Sequence, residues 1–181
     1  PERATLSRYA ALSRSFDYFF SGYLNIIQQE VAPDKSFIVY SGGDDVFIVG
    51  EWSIIIKLSK RIQNDFKEFS CFNPSFSLSG GIAIIPRKYP IIKGAEQSDK
   101  EGRNAKEHLC GKSGDIHCER KNSLSFMNTP LNWNKEFPQV EQLKNEIVTW
   151  VNQGCLPKSF ISKIQNFAMN AGICNHCIQN L

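Results

Sequence analysis

Tyr40-Ser41-Gly42-Gly43-Asp44-Asp45-Val46-Phe47-Ile48-Val49-Gly50-Glu51-Trp52 is the stretch on which the fold turns. Two β-branched and aromatic runs, Ser36 to Tyr40 and Val46 to Val49, flank a Ser-Gly-Gly-Asp-Asp segment, and that order predicts a hairpin. Both pleat faces are apolar, so the hairpin is expected to be buried and covered by helices on at least one side. Two adjacent carboxylates at the end of apolar strands are costly without a counter-charge. A turn lets both approach one cation, and Mg²⁺ prefers carboxylate oxygens, water and substrate phosphates. Glycines beside them let a backbone pass close to a nucleotide. Asp44 and Asp45 are therefore candidate metal ligands, with Gly42 and Gly43 beside them. The same residues also suit a plain turn with no ligand, because Gly and Asp tolerate positive φ and bond locally.

Upstream, Tyr9, Leu12, Phe16, Phe19, Phe20, Tyr23 and Ile27 recur at helical spacing, which predicts one long amphipathic helix from Arg3 to about Gln29, broken at Val31-Ala32-Pro33-Asp34. Downstream, Trp52, Ile55, Leu58, Ile62, Phe66 and Phe69 predict a second helix. Phe76, Leu78, Gly80, Ile82 and Ile84 then alternate with Ser75, Ser77, Ser79, Gly81 and Ala83, a strand pattern with one small face that leaves room for a ligand. Ala95, Ser98, Gly102, Ala105 and Leu109 form a stripe of mostly small residues that would let a helix lie close to a sheet, and Ser123 to Met127 adds a strand. From Val140 two further helices follow, marked by Val140, Leu143, Ile147 and Val151 and by Phe160, Ile164, Phe167 and Ala171. The fold class is α/β (α+β), with residues 1–133 as a mixed module and 134–181 as the start of an all-α one.

The 181 residues, 41% hydrophobic and 22% charged, exclude wholesale disorder. A net charge of +3 is too small to imply nucleic acid or membrane binding by itself, and no apolar run nears the roughly 20 residues that cross a bilayer. The start, Pro-Glu-Arg-Ala-Thr, has neither Met nor a secretory core and reads as internal to a longer chain. Six cysteines fit a reduced, cytoplasmic protein. Cys174-Asn175-His176-Cys177 could form half of a zinc site, with a second pair beyond Leu181 or from Cys110 and Cys118, although semi-buried thiols are the simpler reading. His108, His117 and His176 are expected to be isolated surface or loop residues. There is no P-loop, dinucleotide fingerprint, nucleophile elbow or His-Glu-x-x-His.

The segment from Tyr40 to Trp52 resembles the cyclase palm of the large subunit of type III CRISPR effector complexes, nearest the Csm branch. Leu6-Ser7-Arg8, Leu12-Ser13-Arg14 and Phe19-Phe20 are similar to that palm's preceding helix. Phe76-Ser77-Leu78-Ser79-Gly80-Gly81-Ile82 is similar to its following strand, Ala105-Lys106 to its phosphate-facing helix end, and Leu131-Asn132-Trp133 to its junction with a helical domain. The resemblance implies a ferredoxin-like polymerase or cyclase palm over 1–133, lacking its first strand, and a partial helical domain over 134–181. It implies ATP as substrate, two Mg²⁺ (or Mn²⁺) ions, and cyclic oligoadenylate as product when target RNA occupies the complex. Asp44 and Asp45 would hold metal, Gly42 and Gly43 would shape the turn over the nucleotide, Ser79 would line the strand and Lys106 would neutralise triphosphate. The implied partners are the other complex subunits, CRISPR RNA and target RNA, and the first palm and nuclease domain of the same subunit.

That family carries a further metal-binding aspartate on a strand ahead of the first helix, which this chain lacks, so the fragment alone is expected to be inactive. Two other readings compete. A diguanylate cyclase has Gly-Gly-Asp/Glu-Glu-Phe at an equivalent hairpin, but here the fourth and fifth positions are Asp45 and Val46, and its frequent inhibitory Arg-x-x-Asp would fall on Pro33 and Ser36. A non-catalytic scaffold palm could meet RNA through Arg8, Arg14, Arg87, Lys88 and Lys93, although scattered basic residues are commonly solvated surface.

Overall fold

The computed structural model describes residues 5–110 and 120–170, which divide between Ser77 and Leu78 into two units. In the first unit a run of helix from Leu6 to Val31 comprises α1 (Leu6–Asp17), a π-helical turn (Tyr18–Tyr23) and α2 (Leu24–Val31). Ala32 leaves helical geometry just before Pro33, as the proline ring requires of its predecessor. The strands β1 (Ser36–Gly42) and β2 (Asp45–Gly50) then pair antiparallel, and α3 (Trp52–Phe69) follows.

The widened turn has a packing reason. Consecutive residues of a regular helix diverge in direction, yet Phe19 and Phe20 are 1% and 3% exposed and both reach Phe66 of α3, at ring-centroid distances of 5.3 and 5.7 Å. Leu24, Ile27 and Leu58 complete this core, and Phe16 and Phe76 extend it edge to face at 5.3 Å. Of the first predicted apolar stripe, Tyr9, Leu12 and Tyr23 are exposed.

The expectation of a buried hairpin needs correction. Ile38 and Ile48 pair on the half-buried face, whereas Phe37 is 69% exposed and its cross-strand partner Val49 is also open, as are Val39 and Tyr40. Apolarity on both faces marks strands able to be covered twice; within this unit helices cover one face.

The second unit holds β3 (Gly80–Ile82), α4 (Ile91–Glu107), β4 (Ser123–Phe126), β5 (Thr129–Asn132), α5 (Glu136–Asn152) and α6 (Ser159–Asn170). β3 is parallel to β4, which is antiparallel to β5. The small-faced strand predicted from Phe76 onward shortens to Gly80–Ile82, because its ladder to β4 runs only from Gly80–Leu124 to Ile82–Phe126. The stripe of small residues on α4 does bring helix and strand together: a Cβ on Gly81 would sit 2.2 Å from the Gly102 amide nitrogen, and Ser98 Oγ donates to the Gly81 carbonyl at 2.9 Å. Leu109, expected at the end of that stripe, lies beyond α4 and is exposed.

Ile82, Ala105, Leu124, Trp133 and Phe137 form the apolar interior of this unit. Trp133 Nε1 donates to the Leu78 carbonyl at 3.1 Å, and its ring meets Phe137 at 5.1 Å. In the turn ahead of α5, Asn132 accepts the amides of Asn134 and Lys135 on Oδ1, while its own amide donates to Glu136 Oε2 at 2.7 Å, so side chains at both ends of the turn bond its backbone. Residue 134, where the sequence suggests a boundary, lies in the turn between β5 and α5, whereas the two compact units divide between Ser77 and Leu78. The stripe predicted for α5 is largely open, with Val140 and Leu143 exposed and Phe137 buried. No described helix is long and apolar enough to cross a membrane.

Candidate functional site

The Gly-Gly-Asp-Asp segment is a two-residue hairpin loop. Gly42 pairs with Asp45, so Gly43 and Asp44 form the loop and Asp45 opens β2. Of the two loop residues only Gly43 has a positive φ, 63°, the pattern of a type II′ turn, whose first position favours glycine. Gly42 answers a different demand: a Cβ there would stand 3.1 Å from the Tyr40 hydroxyl oxygen.

The turn leaves Asp44 and Asp45 exposed, and among the described residues neither carboxylate takes a hydrogen bond or ion pair. All their acceptor capacity faces outward. Oxygen donors of this kind suit Mg²⁺ or Mn²⁺, and two carboxylates leave positions for water and phosphate oxygens. Among the described residues no group of three His, Cys, Asp or Glu side chains could hold a metal ion, so the protein side of any shell here is the two carboxylates alone.

Ser79 and Lys106 belong to the second unit. Ser79 lies just before β3, and its hydroxyl oxygen is buried with no hydrogen-bond partner among the described residues. Buried hydroxyls are normally satisfied, so this one retains capacity for a further contact. Lys106 is exposed on the last turn of α4 and pairs with no described carboxylate. Trp52, beside the motif in sequence, opens α3 and is 60% exposed.

His108 is not the isolated residue expected. Its Nε2 lies 2.6 Å from Glu136 Oε2, and the histidine side chain is only 17% exposed. Burial alone would raise the Glu136 carboxyl, but the Asn132 amide, the His108 ring and the Cys110 thiol together hold it below its ordinary value. This cluster joins the end of α4 to the start of α5. Cys71, Cys110 and Cys155 take part in no disulfide, while Cys118 and the Cys174 to Cys177 step lie outside the described residues.

Sequence reasoning passed over two anchors. Glu101 is 7% exposed; it accepts the Ser125 hydroxyl on Oε2 and the Asn128 amide on Oε1 at 2.7 Å. Its place three residues after Ser98 and four before Ala105, on the small-residue stripe, was the available signal. Ser41, whose hydroxyl donates to the Phe20 carbonyl, was signalled only by a polar residue in an apolar strand.

The model of the Cas10/Cmr2 second palm domain matches residues 2–113. The single-strand-specific deoxyribonuclease Cas10/Csm1 (subtype III-A) of the Methanocaldococcus jannaschii CRISPR system is 35% identical over 144 residues, covering 74% of this chain and 18% of that protein. A Csm1-Csm4 cassette solved in complex with AMPPNP matches with a TM-score of 0.54 at 25% identity, over 67% of this chain and 19% of that one. The cassette in complex with cA3 gives 0.50 at 26% identity, over 62% and 16%. The chain thus spans less than a fifth of each of these three proteins. With the hairpin, its paired acids and the helices around them all inside the matched segment, the chain belongs to the Cas10/Cmr2 second palm domain family, on its Csm1 side.

Proposed function

We propose that this palm, within its full-length subunit, binds ATP through divalent metal at Asp44 and Asp45 and takes part in joining ATP molecules 3′ to 5′ into cyclic oligoadenylate. The observation that carries the reading is the pair of unpartnered carboxylates at the tip of a type II′ hairpin. Similar chains crystallised with AMPPNP and cA3 support an adenine nucleotide as ligand. Mg²⁺ or Mn²⁺ held there would polarise the phosphate and favour the attacking and leaving oxygens. Gly42 and Gly43 keep the backbone slim beside the acids, the Ser79 hydroxyl is a spare donor, and Lys106 is a cation for the triphosphate.

Joining two nucleotides needs both held at once, and a second palm of the same subunit would supply the other site, because proximity contributes a large part of such rates. Residues 1–133 form the palm and 134–181 begin the helical domain in this reading. The partners are the remaining subunits of a cytoplasmic type III effector complex with its CRISPR RNA and target RNA, the latter switching synthesis on.

Replacing Asp44 and Asp45 by Ala in the assembled complex, with radiolabelled ATP and target RNA present, is expected to lower oligoadenylate formation at least ~100-fold. The thermal midpoint should stay within about 1 °C, because the acids are exposed and unpaired. Undiminished turnover in that variant would overturn the reading in favour of a scaffold palm. A guanosine preference with a cyclic dinucleotide product would overturn it in favour of a diguanylate cyclase.

A further inference from the structure

The π-turn inside the first helical run offers backbone acceptors to the strand that carries the acids. A π-turn lengthens the backbone reach by one residue, as in the Leu24 amide bonding back to the Phe19 carbonyl, and such turns are frequent at functional sites. The next three carbonyls all receive side-chain donors. Asn25 Nδ2 serves Ser21 at 2.9 Å and Gly22 at 3.4 Å, from within the helical run itself. Phe20 is served from outside the run, by the Ser41 hydroxyl of β1.

Ser41 stands where such a bond matters. The β1–β2 register shifts between Ile38 and Tyr40, so beyond that irregularity the tip is held by three cross-strand pairs, Tyr40–Phe47, Ser41–Val46 and Gly42–Asp45. A bulge of this kind bends and twists the strand distal to it, and three pairs ending in a glycine turn do little to oppose lateral movement. The Ser41 side chain ties this distal segment to the helical layer three residues from Asp44. Phe20, whose carbonyl it uses, is 3% exposed and wedged against Phe19 and Phe66, so the acceptor is fixed by the aromatic core.

We infer that Ser41 is a positioning residue, holding the Asp44 and Asp45 carboxylates in register through the Phe20 carbonyl of the π-turn. The inference rests on the catalytic reading of those acids given above. Displacements near 1 Å at a reacting site lower rates up to about 100-fold, while contacts to the triphosphate away from the acids, such as the one proposed for Lys106, stay in place and limit the loss of affinity. The role therefore shows in turnover number ahead of KM.

The test uses the full-length subunit in its complex with target RNA, measuring kcat and KM for ATP in Ser41→Ala, Ser41→Thr and the double Asp44→Ala, Asp45→Ala variant. Hydrogen exchange of the Gly42 to Asp45 amides is followed in each without nucleotide. Ser41→Ala should lower kcat about tenfold with KM within twofold, and should speed tip exchange. Ser41→Thr, which keeps the hydroxyl, should restore both. An Ala variant with unaltered kcat or exchange, or a Thr variant no better than Ala, overturns the inference. Retained turnover in the double aspartate variant indicts the catalytic reading, and tip exchange then decides the anchor on its own: unchanged exchange in Ser41→Ala sinks it.

Discussion

Two hairpins with two-residue loops stand among the described residues, and the acids near them are used in opposite ways. β4–β5 turns through Met127 and Asn128, both at positive φ (53° and 58°), a type I′ loop in which neither residue is glycine. That backbone is held from outside: buried Glu101 accepts the Asn128 amide and the Ser125 hydroxyl, and Ser123 and Ser125 are fully buried. β1–β2 turns through Gly43, where positive φ is inexpensive, and its acids face outward with no described partner. One hairpin is held by a carboxylate from α4 that is fully engaged in structure, whereas the other carries two carboxylates that stay open. A carboxylate already saturated by protein donors has little left for a cation, so the contrast separates acids committed to the fold from acids left open more sharply than sequence does.

The largest effect on stability should come from breaking the Glu101 anchor. Glu101→Ala leaves the Ser125 hydroxyl and the Asn128 amide without their acceptor and opens space beside β4. It is expected to lower the unfolding free energy by about 2–3 kcal/mol, read by equilibrium urea unfolding. Asp44→Ala with Asp45→Ala should not move the same midpoint measurably. If both changes cost alike, the distinction between anchored and reserved acids is wrong.

Gly43→Ala sharpens the comparison from the other hairpin. Nothing within 4 Å would meet the new Cβ, so any cost is conformational, from φ of 63° at a residue that now has a side chain. About 1 kcal/mol is expected by the same unfolding measurement. Gly43→Asn, which tolerates left-handed geometry better, should recover part of it. A loss well beyond 2 kcal/mol would mean that the tip is packed against something and is not open.

These differences also explain what the sequence could and could not disclose. The hairpin, α3 and the small-residue approach of α4 were legible because each follows from local periodicity and turn chemistry. The π-turn was not, since Phe16, Phe19, Tyr23 and Ile27 keep helical spacing on both sides of it while one widened turn changes which carbonyls are available. β5 was overlooked because Pro130 lacks an amide donor, yet it is tolerated there since β5 pairs only with β4 within its sheet. Glu101 is not distinguished by its sequence, because a sequence does not say which charged side chain will meet buried donors. The acids of the first hairpin were found by type and adjacency, and their lack of protein partners emerged only with the coordinates.

The smallest expected effect concerns pH and separates the two units again. Glu136 is held below the ordinary carboxylate range in spite of its burial, by Asn132, His108 and Cys110. A carboxyl depressed by folding contributes stability that is present above its unfolded value, near 4.3, and lost as pH falls through the lower folded value. In the first unit Glu51 is also lowered, chiefly by the Ser53 hydroxyl and then by Lys35 at 3.5 Å, so its contribution has the same sign. The Lys35–Glu51 pair is exposed and screened by salt, whereas Glu136 draws on a backbone amide and a half-buried ring that salt reaches poorly. Raising the salt to about 0.5 M should therefore flatten the acid limb only in part. Glu136→Gln, which cannot titrate, should remove most of what remains in urea midpoints taken between pH 7 and pH 3. An acid limb that vanishes with salt while Glu136 is intact would assign the pH response to surface pairs and leave the α4 to α5 junction without a share in it.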